Sequence, residues 1–113
     1  MIQILHNPRC AKSRAGLKFL QDKGIEPEII KYLEDTPTAA EFKDILKKMG
    51  AKPTDVLRKN EAIFKEQFKG KEFSDDEWVE IMVSNPKLIE RPIVINGGKA
   101  VLGRPAEAIE KVL

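Results

Sequence analysis

"IQILHNPRCAKSRAGLKFLQDKG", residues 2–24, sets an apolar run, a turn and an amphipathic run in immediate succession. Ile2, Ile4 and Leu5 predict a short buried strand. Asn7-Pro8 ends it, because proline has no N–H for a ladder and asparagine stabilises turns. From about Ala11 the pattern becomes helical: Leu17 and Leu20 stand three apart, and Lys23-Gly24 supplies a basic last turn and a glycine stop. Strand, loop and helix in that order form the first part of a βαβ unit.

Working outward, "EPEIIKYL" predicts a second strand from Glu28 to Tyr32, with Pro27 confined to its start. Thr38 precedes Glu41 by three residues, so hydroxyl and carboxylate can satisfy each other's backbone donors in a capping box, and Phe42, Ile45, Leu46 and Met49 follow at helical spacing. Ser74 and Glu77 repeat the device before Trp78, Ile81 and Met82. Between them, residues 54–69 predict shorter helical pieces. "IVINGGKAVL" predicts a hairpin turning at Asn96-Gly97-Gly98, and Pro105 is expected at the first position of a closing helix. The expectation is an α/β fold with a four-stranded mixed sheet, βαβ then ββα, interrupted by a helical insertion.

The 113 residues, 42% of them hydrophobic, suit a single domain over 1–113 with one core. Twenty Lys and Arg stand against 18 Asp and Glu, a net charge of +2 that gives no reason to expect nucleic acid or an anionic membrane as partner. The apolar stretch at Met1–Leu5 is too short for a signal-peptide core and no run approaches a membrane span, so the expected compartment is the cytoplasm. Trp78, Phe42, Phe64 and Phe68 fall in helical patterns as core residues. The acidic runs Glu34-Asp35 and Asp75-Asp76-Glu77 suit strand-end turns and helix starts better than acid–base pairs or a metal site.

Cys10 is the only cysteine, which excludes an internal disulfide and a cysteine-rich zinc site. Pro8, Arg9, Lys12, Ser13 and Arg14 around it do not describe an apolar core position, so the expectation is a working thiol. At the amino end of the first helix, unpaired N–H groups and the macrodipole favour a thiolate. Arg9 and Arg14 are the nearest cations, and Arg14 returns to the same side one turn later. His6 either assists the thiolate when protonated or holds the loop through a backbone hydrogen bond, and the second is preferred because no acidic neighbour fixes it as a base. Ser13 is read as a helix cap or an anion contact. Cys10-Ala11-Lys12-Ser13 cannot close its own disulfide, so an external thiol must resolve any oxidised or adducted state.

The chain resembles the glutaredoxin-coupled arsenate reductase family, whose fold is thioredoxin-like with a helical insertion. The resemblance spans nearly the whole sequence and rests on "HNPRCAKSR", "YLEDTPT", "LRKNE", "NPKLIERPIV" and "GRP". It implies that Cys10 attacks arsenate, that Arg58, Arg91 and Arg104 hold the oxyanion, and that glutathione is the co-substrate, with glutaredoxin as the protein partner and no bound cofactor or metal. A guanidinium offers a planar fork of donors to a tetrahedral oxyanion. One cation about 5 Å away contributes roughly 3 kcal/mol at an effective dielectric of 20, enough for about two pKa units. Related folds also carry a cis-proline beside the active cysteine, so Arg91-Pro92 is expected to be cis, and Gly103 to permit the bend that turns Arg104 inward. Two other functions fit the same thiol: a glutathione-dependent oxidoreductase acting on another substrate, and a redox-sensing regulator that binds RNA polymerase. The last ranks lowest because Ser13 removes the second cysteine of such switches.

Overall fold

The computed structural model describes residues 1–113. Four strands, β1 (Gln3–Leu5), β2 (Glu28–Ile30), β3 (Ile93–Asn96) and β4 (Lys99–Leu102), form one mixed sheet in the order β2-β1-β3-β4. The β1–β2 pair is parallel, joined through helix α1 (Ala11–Asp22), and the β1–β3 and β3–β4 pairs are antiparallel. The expected α/β class and mixed sheet are therefore present. The insertion carries α2 (Ala39–Met49), a 3-10 turn (Pro53–Val56), one π turn (Phe64–Phe68), α3 (Asp75–Ser84) and a second 3-10 turn (Pro86–Leu88). No helix is long and apolar enough to cross a membrane.

Strand alternation distributes the core to both faces of the sheet. Leu5, Ile93 and Ile95 join the larger apolar cluster with Phe42, Trp78 and Met82, whereas Ile4 and Val94 meet Leu20, Ile109 and Val112. Thr38 and Ser74 both make the reciprocal capping boxes their spacing predicts, and Gly50 closes α2 in the left-handed conformation. Phe73 and Phe68 pack edge-on against Trp78, with ring centroids 4.9 and 6.2 Å away, so the insertion has an aromatic centre of its own.

Two expected boundaries move. β2 ends at Ile30 rather than Tyr32: its partner β1 has only three residues, and after the His6 N–H donates to the Ile30 carbonyl at 2.8 Å, the Asn7-Pro8 turn carries the chain away. Pro105 lies outside the final helix, extended at φ −69° and ψ 168°, and Ala106–Val112 is a 3-10 helix. That tighter helix eclipses side chains three apart, so Ile109 and Val112 reach the same apolar cluster.

The peptide bonds Arg91-Pro92 and Arg104-Pro105 are both cis. Pro92 packs on Gly16 of α1, where a Cβ would come within 2.6 Å of Pro92 Cγ. Gly16→Ala gains about 1 kcal/mol of helix propensity but overpacks a rigid ring at a cost of about 1–3 kcal/mol. A lower urea midpoint is the expected result, with a net loss of up to about 2 kcal/mol. Gly103 does not have the backbone freedom assigned to it as its role: its φ is not positive, and what it provides is room, since a Cβ would meet Pro92 and Ile109 at 3.1 Å.

Candidate active site

Cys10 is the N-cap of α1, in extended conformation, and is partly exposed. The loop that presents it is held by four local hydrogen bonds. The Arg9 N–H donates to Asn7 Oδ1 at 3.0 Å, the Cys10 N–H to the Asn7 carbonyl at 3.0 Å, the Asn7 N–H to Ser13 Oγ at 2.9 Å, and Arg14 Nη1 to the Pro8 carbonyl at 2.9 Å. Ser13 Oγ lies 2.7 Å from His6 Nδ1, and both residues are buried. Since Asn7 already donates to the hydroxyl oxygen, the hydroxyl proton is available to a neutral imidazole. Burial, together with the charges of Lys31 and Arg14, holds His6 below its ordinary pKa and favours that neutral form.

These bonds assign roles to the supporting residues. His6 meets the loop through its ring, at the Ser13 hydroxyl, and not through the backbone hydrogen bond expected of it. Ser13 neither caps the helix with its hydroxyl nor faces solvent: the side chain is fully buried under the loop, and its backbone N–H points at the Cys10 sulfur. Arg14 is not the cation at the thiol. Its guanidinium turns toward Pro8, because the loop carbonyl is within reach of a side chain one turn into the helix.

The cation at the sulfur is Arg91. Burial, the largest single influence on Cys10, pushes its thiol up. The Ser13 N–H, the Arg91 guanidinium, which both hydrogen-bonds the sulfur and acts on it by charge, and the Lys12 N–H more than reverse this, leaving the thiol below its ordinary range. Arg91 is 9% exposed, and its Nε is buried without a hydrogen-bond partner.

Backbone pairing brings the other two arginines toward Arg91. Leu57 and Ile89 form an antiparallel bridge, flanked by Arg58 N–H to the Leu88 carbonyl at 2.7 Å and Glu90 N–H to the Val56 carbonyl at 2.8 Å. This clip sets Arg58 beside Glu90. On the other side, the Gly103 N–H donates to the Pro92 carbonyl at 2.8 Å, which brings Arg104 alongside. Arg58 Nε and Arg104 Nη1 both contact Glu90 Oε1, at 3.1 and 3.4 Å, and Arg58 Nη1 lies 3.3 Å from Glu61 Oε2.

Three members of this cluster were missing from the sequence reading. Glu90 and Glu61 neutralise part of the arginine charge, and both lie inside stretches already singled out: Glu61 three residues after Arg58 in "LRKNE", Glu90 directly before Arg91. The third is Tyr32, 1% exposed, whose hydroxyl donates to the Ile89 carbonyl at 3.3 Å. Its phenol is pushed up to about 12, chiefly by burial, and it feels the charges of Arg91, Arg58, Cys10 and Glu90. Tyr32 is thus a neutral wall shared by the thiol and the arginines.

The chain is similar to known proteins over nearly its whole length. The ArsC family matches residues 5–112. A Neisseria meningitidis protein named arsenate reductase is 43% identical over 114 residues, covering 99% of this chain and 97% of its own. An Escherichia coli protein, YfgD, whose name carries no function, is 41% identical over 114 residues, covering 99% and 96%. The solved structure of an arsenate reductase from Vibrio cholerae superposes with a TM-score of 0.94 at 41% identity, covering 99% of this chain and 97% of that one. With a family match that spans residues 5–112, and so includes the Cys10 loop, the insertion and both Arg-Pro turns, the chain belongs to the ArsC family.

Proposed function

We propose that this protein reduces arsenate to arsenite, with Cys10 as nucleophile and Arg58, Arg91 and Arg104 as the oxyanion-binding groups. The observation that carries the reading is Arg91: a guanidinium buried against the only thiol, with a donor left unpaired. A buried unpaired donor costs about 1–3 kcal/mol, and an oxyanion oxygen supplies the acceptor. The names of the relatives, arsenate reductases of Neisseria meningitidis and Vibrio cholerae, point to the same substrate.

In this reading the Cys10 thiolate attacks arsenic(V). One arsenate oxygen leaves as water after protonation, and a sulfur–arsenic bond forms. Glutathione attacks arsenic next, forming a second sulfur–arsenic bond as another oxygen leaves as water. A glutaredoxin thiol then takes the glutathionyl sulfur as a disulfide, the electron pair stays on arsenic, and one water hydrolyses the remaining Cys10–arsenic(III) bond to release arsenite and regenerate the thiol. Overall two thiols become one disulfide, arsenic gains two electrons, and one oxygen ends as water. A groove of about 300 Å³ on the loop that carries Cys10, edged by Arg9, Lys31 and Glu34, offers a small anionic thiol such as glutathione two cationic side chains.

The test is a reconstituted assay. Protein supplied with arsenate, glutathione and glutaredoxin is expected to consume reductant and release arsenite, with loss of turnover when any one is omitted. Turnover that persists without arsenate, on a glutathione disulfide substrate, would favour the general oxidoreductase instead.

A further inference from the structure

Guanidinium groups alone would take any tetrahedral oxyanion by charge. This cluster also contains an acceptor. The Glu90 carboxylate sits between Arg58 Nε at 3.1 Å and Arg104 Nη1 at 3.4 Å, its side chain only 25% exposed. A carboxylate held by two cations only accepts hydrogen bonds.

We infer that Glu90 determines which oxyanions the site takes: its carboxylate accepts a hydrogen bond from a protonated oxygen of the anion, admitting arsenate-like anions and refusing sulfate-like ones. The inference rests on the oxyanion reading above and adds a selection rule to it. At neutral pH arsenate and phosphate each keep at least one proton, whereas sulfate has none. A proton-bearing oxygen turns its meeting with the carboxylate into a hydrogen bond. Sulfate instead places acceptor against acceptor and charge against like charge in a partly desolvated cluster. Sites built to hydrogen-bond a ligand hydroxyl reject analogues lacking it by large factors, so discrimination on the order of 100-fold or more is expected. Glu90 does not separate arsenate from phosphate. That step falls to the thiol, which reduces arsenic(V) but not phosphorus(V).

The test is protection of Cys10 from iodoacetamide at neutral pH and constant ionic strength, with added arsenate, phosphate or sulfate. In the parent protein, arsenate and phosphate should protect at concentrations on the order of 100-fold below sulfate. In Glu90→Gln the amide can donate to sulfate, and the ratio should fall to within about tenfold. Glu90→Asp keeps the carboxylate and should keep refusing sulfate, which separates loss of charge from loss of fold. An unchanged ratio in Glu90→Gln, or an equal loss of protection by all three anions, overturns the inference and leaves the oxyanion reading standing, with Glu90 reduced to positioning Arg58 and Arg104. If no anion protects the parent protein, the oxyanion reading itself fails and the inference falls with it.

Discussion

Replacing Cys10 by serine is expected to lower arsenate-dependent thiol consumption by at least about 1,000-fold, the scale on which removal of a covalent nucleophile acts. The substitution isolates the sulfur. Cys10 takes part in the loop through its backbone, with its N–H on the Asn7 carbonyl and its carbonyl accepting from the Arg14 N–H at 3.0 Å. Both bonds survive in serine. The side chain is partly exposed, so no core contact of consequence is lost. What changes is ionisation: the two N–H groups and the Arg91 guanidinium that draw the thiol below its ordinary range cannot bring an alcohol within reach of neutral pH. The coupled assay measures the rate, and intact-mass spectra should show an arsenic adduct on the parent protein and none on the variant. An unfolding midpoint close to the parent's would exclude misfolding. A variant keeping a tenth of the parent rate would take the sulfur out of the reaction.

What could be read from the sequence, and what could not, divides by the range of the interactions. The capping boxes at Thr38 and Ser74 act across three residues, and the turn at Gly97-Gly98 joins adjacent strands. Side-chain types at fixed short spacings encode these features, and they appear where the pattern puts them. The βαβ unit followed by a hairpin is likewise a consequence of order and loop length. The site is different, because it is assembled from distant segments. Tyr32 reaches Ile89, 57 positions later, through its hydroxyl. The Leu57–Ile89 bridge that sets Arg58 beside Glu90 also joins segments whose pairing no local pattern announces. Family resemblance pointed to Arg58, Arg91 and Arg104 but not to the carboxylates among them, since it named the cations alone. Arg14 shows the opposite error. Helical spacing returns it to the side of Cys10, yet a nearby loop carbonyl captures its guanidinium, and Arg91, 81 positions away in sequence, takes the place at the sulfur.

That exchange of cations makes Arg91→Ala the decisive electrostatic variant. With the guanidinium gone, burial still pushes the Cys10 thiol up, and only the Ser13 and Lys12 N–H groups oppose it. The pH at which iodoacetamide labelling reaches half its maximal rate should therefore move upward. Turnover should fall by at least about 100-fold, because the variant loses thiolate and an oxyanion donor together. Arg91→Lys separates the two contributions. An ammonium keeps the charge, so the labelling midpoint returns part of the way, but it lacks the planar fork and should recover little of the turnover. Because Arg91 is buried, urea midpoints on both variants are needed to show that the fold persists. Arg58→Ala is the internal control. Arg58 pairs with Glu61 and Glu90 and does not touch the sulfur, so its loss should weaken arsenate use while leaving the Cys10 midpoint where it is. If the Arg91→Ala midpoint also stays in place, the helix start alone ionises the thiol, and the buried guanidinium serves only the oxyanion.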